Sequence, residues 1–367
     1  MPTNSAAWLA APYAPFAIGD APYTRPAPTQ IVIRNRAVAV NPLDDVKQSS
    51  GNLMYGWLPS PTVLGEDVAG EVVEIGSEVT RFAVGDRVVG FAIGMEKGRR
   101  HAAEGGFQLY TVVESSLASP IPEGMRFENA AVLPLGISTA ASALFQKDQL
   151  GLRHPGSEVN AQQTVVVWGG STSVGMNAIQ LATAAGYEVV TTASTHNHQR
   201  LRELGATAVF EYAQLSALIT SLQGKDVAGI LALGTGSGAT AVTIAIATGA
   251  RRVSMASPSV SFTGLPQRPG FSIPLARTIA ALVAGQTVLQ VRALRHRIRA
   301  RFVWGSSLMN NEVGPMLWQQ FLPAALAEGR YIAAPTAEVV GHGLEQVQTA
   351  LDALHKGVSA RKLVVTL

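Results

Sequence analysis

Residues 164–194, TVVVWGGSTSVGMNAIQLATAAGYEVVTTAS, hold the chain's densest arrangement of groups suited to an anion. A β-branched run ends in Gly170-Ser171-Thr172-Ser173-Val174-Gly175 and opens directly into a stretch of helical periodicity. Such a turn aims backbone N–H groups and the positive end of a helix dipole at one point, where a pyrophosphate fits. The dinucleotide fingerprint G-x-G-x-x-G assigns its glycines to the turn, to close phosphate approach and to helix–strand packing. Gly170 and Gly175 fill the first and third places, but Thr172 stands in the second. The hydroxyls of Ser171, Thr172 and Ser173 are candidate additional donors. The alternative is a merely structural turn; the strand–turn–helix–strand context favours the dinucleotide.

Which dinucleotide is decided at the end of the following strand, where an acid usually accepts from a ribose 2′-hydroxyl. That position reads TTASTHNHQR (191–200), without an acid. Ser194, Thr195 and Asn197, with His196 or Arg200 nearby, can donate to a 2′-phosphate, so NADPH is expected over NADH. His196 and His198 form an isolated H-x-H without a third ligand and make a poor metal site.

Around this turn the sequence alternates strands and helices: TVVVW, YEVVTTAS, TAVFEY, VAGILALG and RRVSMAS, with helical segments between them. That alternation implies right-handed crossovers and a parallel sheet. The first 130 residues read instead as short β runs divided by Gly and Pro: IVIRNRAVAV (31–40), DVAGEVVEIG (67–76), DRVVGFAIG (86–94) and LYTVVESSLASPIPEG (109–124). A helix is expected over 129–150, and a strand pair from LAEGRYIAAPTAEVVG. A helix over 343–357 and a closing strand RKLVVTL return the tail to the first domain.

Composition narrows the chemistry. The 367 residues are 47% hydrophobic and contain no cysteine, which excludes disulfides, Cys-ligated zinc, iron–sulfur clusters and a thiol nucleophile. A net charge of +3 does not define a nucleic-acid binder. The local cluster Arg292, Arg295, Arg297, Arg299 and Arg301 reads as a solvated face, its alternating aliphatic residues forming the buried side. No apolar run is long enough to span a bilayer, no signal peptide is apparent, and the expected address is cytoplasmic.

The chain resembles the medium-chain dehydrogenase/reductase superfamily. The likeness is carried by AVAVNPLD (37–44), VLGEDVAGEVVEIGSEV (63–79), FAVGDRVVG (82–90), GISTA (136–140), GGSTSVG and GVSARKLVV (357–365). It is nearest to fungal zinc-free members, the trans-acting enoyl reductases and their quinone oxidoreductase-like relatives. The implied fold is α/β: a Rossmann doubly wound parallel sheet, residues 136–308, inserted in a GroES-like, mainly β catalytic domain, residues 1–135 and 309–367. Zinc members place a histidine in a GHE motif, whereas GED puts Glu66 there. With no Cys either, the chain is read as zinc-free, and Glu66 and Asp67 as structural.

Without a Lewis acid, reduction of an activated C=C bond is the easier chemistry, needing only donors for the carbonyl oxygen. The resemblance implies Thr139 beside nicotinamide and substrate, and Lys47 as a second catalytic candidate. Pro42, Leu43 and Asp44 would approach the cofactor, with Ser171 to Val174 along the phosphates. Ser194, His196 and Asn197 would face the adenosine ribose, Tyr212 would stack by the adenine, and Val358 and Ser359 would close over the nicotinamide. Candidate substrate walls are the face Leu135–Ser142, with Leu135, Gly136, Ser138 and Ser142, and the segment 262–274. The expected partner is a small molecule, possibly carrier-bound, with no nucleic acid or membrane. The expected state is monomer or homodimer, with 302–307 a candidate edge strand. A quinone or aldehyde reductase and a non-catalytic NADPH sensor remain as alternatives.

Overall fold

The computed structural model describes residues 2–156, 163–262, 265, 270 and 272–367. The chain divides into two compact units. One takes the sequence up to Leu135 together with Gly314–Leu367; the other takes most of what lies between.

The first unit is built on a seven-stranded sheet. Its central strand, Gln30–Ala39, carries Ile31, Val32, Ile33 and Val38 and buries nearly every side chain, Arg34 being exposed and Arg36 half-buried. Asp67–Ile75 pairs with it antiparallel, then Arg87–Phe91, then Ala118–Pro120. Tyr110–Glu114 also pairs with the central strand. On its other side lies the strand Arg361–Thr366, more than three hundred residues away in sequence, followed by Thr336–His342 in parallel. A smaller sheet joins Phe16–Ala21, Asn4–Leu9 and Thr62–Val63. The segment expected as a strand pair gives one strand, Thr336–His342; its Ala-rich beginning instead extends the helix Leu322–Ala327.

The second unit is a six-stranded, wholly parallel sheet. Its strands are β1 (Gln163–Trp168), β2 (Glu188–Thr192), β3 (Ala208–Phe210), β4 (Asp226–Ala232), β5 (Arg252–Met255) and β6 (Arg299–Phe302). They lie in the order β3-β2-β1-β4-β5-β6. This is the doubly wound order, whose reversal beside β1 creates a crevice at the strands' carboxyl ends. Near-continuous apolar strands suit a sheet covered on both faces. Val166, Val190, Ile230 and Val253 are buried in that core. Helix α1, Ser173–Ala184, follows β1, and helix α2, Ile273–Arg295, precedes β6.

Three expectations change here. The helix expected over 129–150 breaks in two, Phe127–Ala130 and Pro134–Phe145, because Pro134 lacks the N–H that a continuous helix needs. The edge strand expected at 302–307 is Arg299–Phe302, and Gly305–Asn310 is a 3₁₀ turn. The aliphatic residues among the arginines do not form one buried side. Ala293 and Ile298 are buried, but Val291 is 43% and Leu294 72% exposed. Among the described residues no helix is long and apolar enough to cross a membrane.

Candidate functional site

The turn after β1 is fastened to β2. Gly169 N donates to Thr192 Oγ1 at 3.0 Å, and Gly170 N to the Thr192 carbonyl at 2.9 Å. A Cβ on Gly170 would lie 2.1 Å from Thr191 Oγ1, and one on Gly175 would lie 2.4 Å from the Gly169 carbonyl oxygen. Both places therefore require glycine for close packing. Thr172 does not occupy a place that needs one, since its φ of −74° is ordinary extended backbone. Its hydroxyl accepts from Gly175 N at 3.0 Å and donates to the Gly169 carbonyl at 2.9 Å. Thr172 thus serves as the N-cap of α1 rather than as a free phosphate donor. The first N–H groups of α1, at Ser173 and Val174, have no carbonyl one turn back to bond. They and the dipole of a twelve-residue helix remain for an anion.

Beside this turn Ser194, Thr195, His196, Glu211, Tyr212 and Ala213 line an open hollow of about 460 Å³. The Tyr212 hydroxyl is hydrogen-bonded to Ser171, and its ring stands edge-on to Trp168 with centroids 5.6 Å apart. Burial pushes the Tyr212 hydroxyl up, against the effect of Ser171. Asn197 is buried, its Nδ2 3.2 Å from His196 Nε2. Glu211 was missed in the sequence: it follows β3, one strand beyond where an acid is usually sought. Thr195 donates to its carboxylate. The hollow therefore contains a carboxylate even though β2 ends without one. Arg200 lies against Glu203 at 3.4 Å and does not line it. The paired glycines, the helix start and the aromatic-flanked hollow together fit a dinucleotide.

Helix Pro134–Phe145 presents fewer open residues than expected. Gly136 packs on α1, since a Cβ there would meet Ser173 Oγ at 2.4 Å. Ser138 and Ser142 are fully buried, and the Ser142 hydroxyl donates to the Gly305 carbonyl at 3.2 Å. Gly136 and Ser142 are thus engaged within their own unit. Leu135 N donates to Asp67 Oδ1 at 2.6 Å. Thr139 keeps 8% of its surface exposed. Most of the segment 262–274 falls outside the described residues.

In the first unit, NPLD opens the helix Pro42–Ser50. Asp44 turns inward and is fully buried, its Oδ2 accepting from Asn41 N at 2.7 Å, so it does not reach out toward a cofactor. Pro42 is exposed and Leu43 half-buried. Lys362 pairs with Asp67 at 2.8 Å and donates to Asn41 Oδ1. Burial first, then the charge of Asp67, raises the Asp44 carboxyl to about 7. Glu66 is pushed well above the usual carboxylate range, by burial and then by Asp44. Among the described residues no three His, Cys, Asp or Glu side chains gather as a metal site. Lys47 is buried and donates to Asn52 Oδ1 at 2.9 Å and to the carbonyls of Leu58 and Tyr55 at 3.0 and 3.3 Å. Those three acceptors occupy its ammonium. Val358 and Ser359 are exposed before the last strand.

A doubly wound parallel sheet with a glycine turn at its switch point, interrupting a mainly β unit, defines a nucleotide-dependent oxidoreductase architecture. Residues 27–123 match the alcohol dehydrogenase GroES-like domain. The chain is 46% identical over 374 residues to dehydrogenase pigH of Monascus ruber, covering all of both chains. It is 38% identical over 341 residues to trans-enoyl reductase himH of Aspergillus japonicus, spanning 92% of this chain and 90% of that one. An alcohol dehydrogenase superfamily protein from Novosphingobium aromaticivorans shares the fold, with a TM-score of 0.71 and 24% identity over both whole chains. The chain belongs to the medium-chain dehydrogenase/reductase superfamily, a family of oxidoreductases whose fold implies a nicotinamide cofactor.

Proposed function

We propose that the protein is an NADPH-dependent, zinc-independent reductase of the activated C=C bond in α,β-unsaturated carbonyl or enoyl substrates. The observation that carries the cofactor part is the turn itself. Gly170 and Gly175 admit no side chain, Thr172 caps α1, and the helix's first N–H groups face an anion's place. Ser194 and His196 line the adjoining hollow and supply donors for a 2′-phosphate, while the Thr195 hydroxyl is directed to Glu211; Tyr212 offers a ring face for the adenine.

The C=C assignment is supported by the donor set. The chain has no cysteine, Glu66 stands at the place where the resemblance implies a histidine in zinc-binding members, and among the described residues no three His, Asp or Glu side chains gather to hold a Lewis acid. When bound, reduced nicotinamide supplies a hydride equivalent to an electron-poor carbon. The protein's part is to hold the dinucleotide and to donate to the carbonyl oxygen as charge builds there. Thr139 is our candidate for that donor. Lys47 is the weaker candidate for proton delivery, because its three acceptors hold it in place. The trans-enoyl reductase relative is consistent with this reading.

The test follows nicotinamide absorbance with NADPH or NADH and a panel of enones, enoyl thioesters, quinones and aldehydes, with a chelator present. Oxidation of NADPH with conjugated C=C acceptors only is the expected result. Turnover confined to quinones or aldehydes, or tight cofactor binding without any turnover, would replace the reading.

A further inference from the structure

Three donors from distant parts of the chain meet on one carboxylate. Asp67 opens the strand Asp67–Ile75, its backbone set between Ala39 and Phe91 of the flanking strands. Its Oδ2 accepts from Lys362 Nζ at 2.8 Å and from Asn41 Nδ2 at 2.9 Å. Its Oδ1 accepts from Leu135 N at 2.6 Å. Lys362 also donates to Asn41 Oδ1, closing a ring of contacts around a side chain with no exposed surface.

The donors belong to three separate elements. Asn41 is the N-cap of the helix Pro42–Ser50, and Lys362 lies in the last strand. Leu135 is in the first turn of the helix Pro134–Phe145. The first N–H groups of a helix have no carbonyl one turn back. Here Leu133, just before the helix, has no side-chain acceptor, and Pro134 has no N–H. The acceptor for Leu135 is borrowed from a strand 68 residues earlier, and its negative charge suits the helix's positive end.

We propose that Asp67 is a positioning residue: it fixes the first turn of the helix Pro134–Phe145 and so sets the place of the Thr139 hydroxyl, a role that rests on Thr139 being the donor to the substrate's carbonyl oxygen. Leu135 and Thr139 are four residues apart, on one face of the helix and about 6 Å apart along its axis. A tilt at the capped turn is therefore carried to Thr139. Burying an ion pair adds little stability over apolar residues of similar volume. A charged node at this place is accounted for by geometry, since one carboxylate on a sheet strand holds the starts of two helices and the last strand in register.

The experiment is a double-mutant cycle between this node and Thr139, read as kcat and KM with NADPH and the panel acceptor that the parent turns over fastest. One variant is Asp67→Leu with Lys362→Met, which removes the acceptor for Leu135 N without stranding a charge. The other, Asp67→Asn with Lys362→Met, keeps an amide oxygen for Leu135 N, and its Nδ2 can donate to the Asn41 Oδ1 that Lys362 vacates. Hydrogen exchange over residues 134–139 is followed by mass spectrometry, without cofactor. The Leu variant is expected to lose about tenfold or more in kcat with KM moving less than about threefold. Its exchange over 134–139 should rise about tenfold, and the Asn variant should restore both readouts. In a Thr139→Val background the Leu variant should cost less than about twofold further. An equal loss in both backgrounds, or parental kcat and exchange in the Leu variant, overturns the positioning role. An Asn variant that loses kcat and exchange protection overturns it as well, whether or not the Leu variant folds. Non-additivity seen with a quinone or aldehyde as the only acceptor upholds the positioning role and removes the C=C reading. A parent that turns over nothing removes both.

Discussion

Lys362 holds its ammonium 2.8 Å from the Asp67 carboxylate, with side chains 6% and 0% exposed. Asp44 and Glu66 lie in the same buried neighbourhood, and the charge of Lys362 acts on both. Removing one partner of a buried pair leaves the other charge uncompensated, at about 3–5 kcal/mol. Lys362→Met should therefore cost that order of stability in urea unfolding. A loss under about 1 kcal/mol would show that water already reaches the pair.

The pH dependence follows from the two raised carboxyls. In the unfolded chain Asp and Glu lose their protons near pH 4. In the folded protein Asp44 keeps its proton to about 7, and Glu66 is also raised. Between those limits the folded state binds more protons than the unfolded one, so stability falls as pH rises through the window. Urea unfolding at pH 5 and pH 8 should show a lower midpoint at pH 8. Asp44→Asn with Glu66→Gln should flatten the difference; an unchanged slope would place its origin elsewhere.

Lys47 separates a structural role from a chemical one. Lys47→Met leaves the buried Leu58 carbonyl without its Lys47 donor, while the Tyr55 carbonyl keeps the bond from Leu58 N and the exposed Asn52 Oδ1 faces water. At about 1–3 kcal/mol for one stranded buried group, a drop of that order is expected. A variant of parental stability whose kcat alone collapses would instead return Lys47 to the chemistry.

The phosphate turn has two kinds of position. Thr172→Ala removes a helix cap and should cost about 1 kcal/mol, with cofactor affinity little changed. Gly175→Ala forces a Cβ against backbone 2.4 Å away. It should cost about 1–3 kcal/mol and weaken dinucleotide binding as well. Fluorescence titration alongside thermal unfolding distinguishes them, and the reverse ranking would mean that Thr172 binds the phosphate directly.

Glu211 is expected to temper the preference for a 2′-phosphate, because its carboxylate shares the hollow with Ser194 and His196. Glu211→Gln should raise the NADPH-over-NADH ratio of kcat/KM about fivefold, or about 1 kcal/mol. A ratio that falls would make Glu211 a support of the phosphate site through Thr195.

The parallel sheet was legible because β-branched runs alternate with helical stretches and GGSTSVG marks the switch point. Gly170 and Gly175 could be assigned by spacing, since close packing constrains them locally. Less could be read where partners come from distant sequence. Glu211 reaches the hollow from a different strand, and nothing near residue 195 announces it. Lys47 and Ser142 have the right residue types for chemistry, but their acceptors, the Leu58 and Gly305 carbonyls, are fixed only by the fold. The aliphatic residues of α2 show the same limit, because periodicity gives a face without saying what covers it.

The pairing of Arg361–Thr366 with Gln30–Ala39 also sets an order of assembly. During synthesis the central strand of the first sheet emerges more than three hundred residues before its neighbour on one side. The parallel sheet between them has all its strands in one continuous stretch and can form before that neighbour is made. The strand at residue 30 stays half-paired until residue 361 has been added, and closing that gap carries the entropy of a very long loop. Ribosome-bound chains should therefore protect the inserted unit first, leaving the strand at residue 30 the most exposed to wrong pairing.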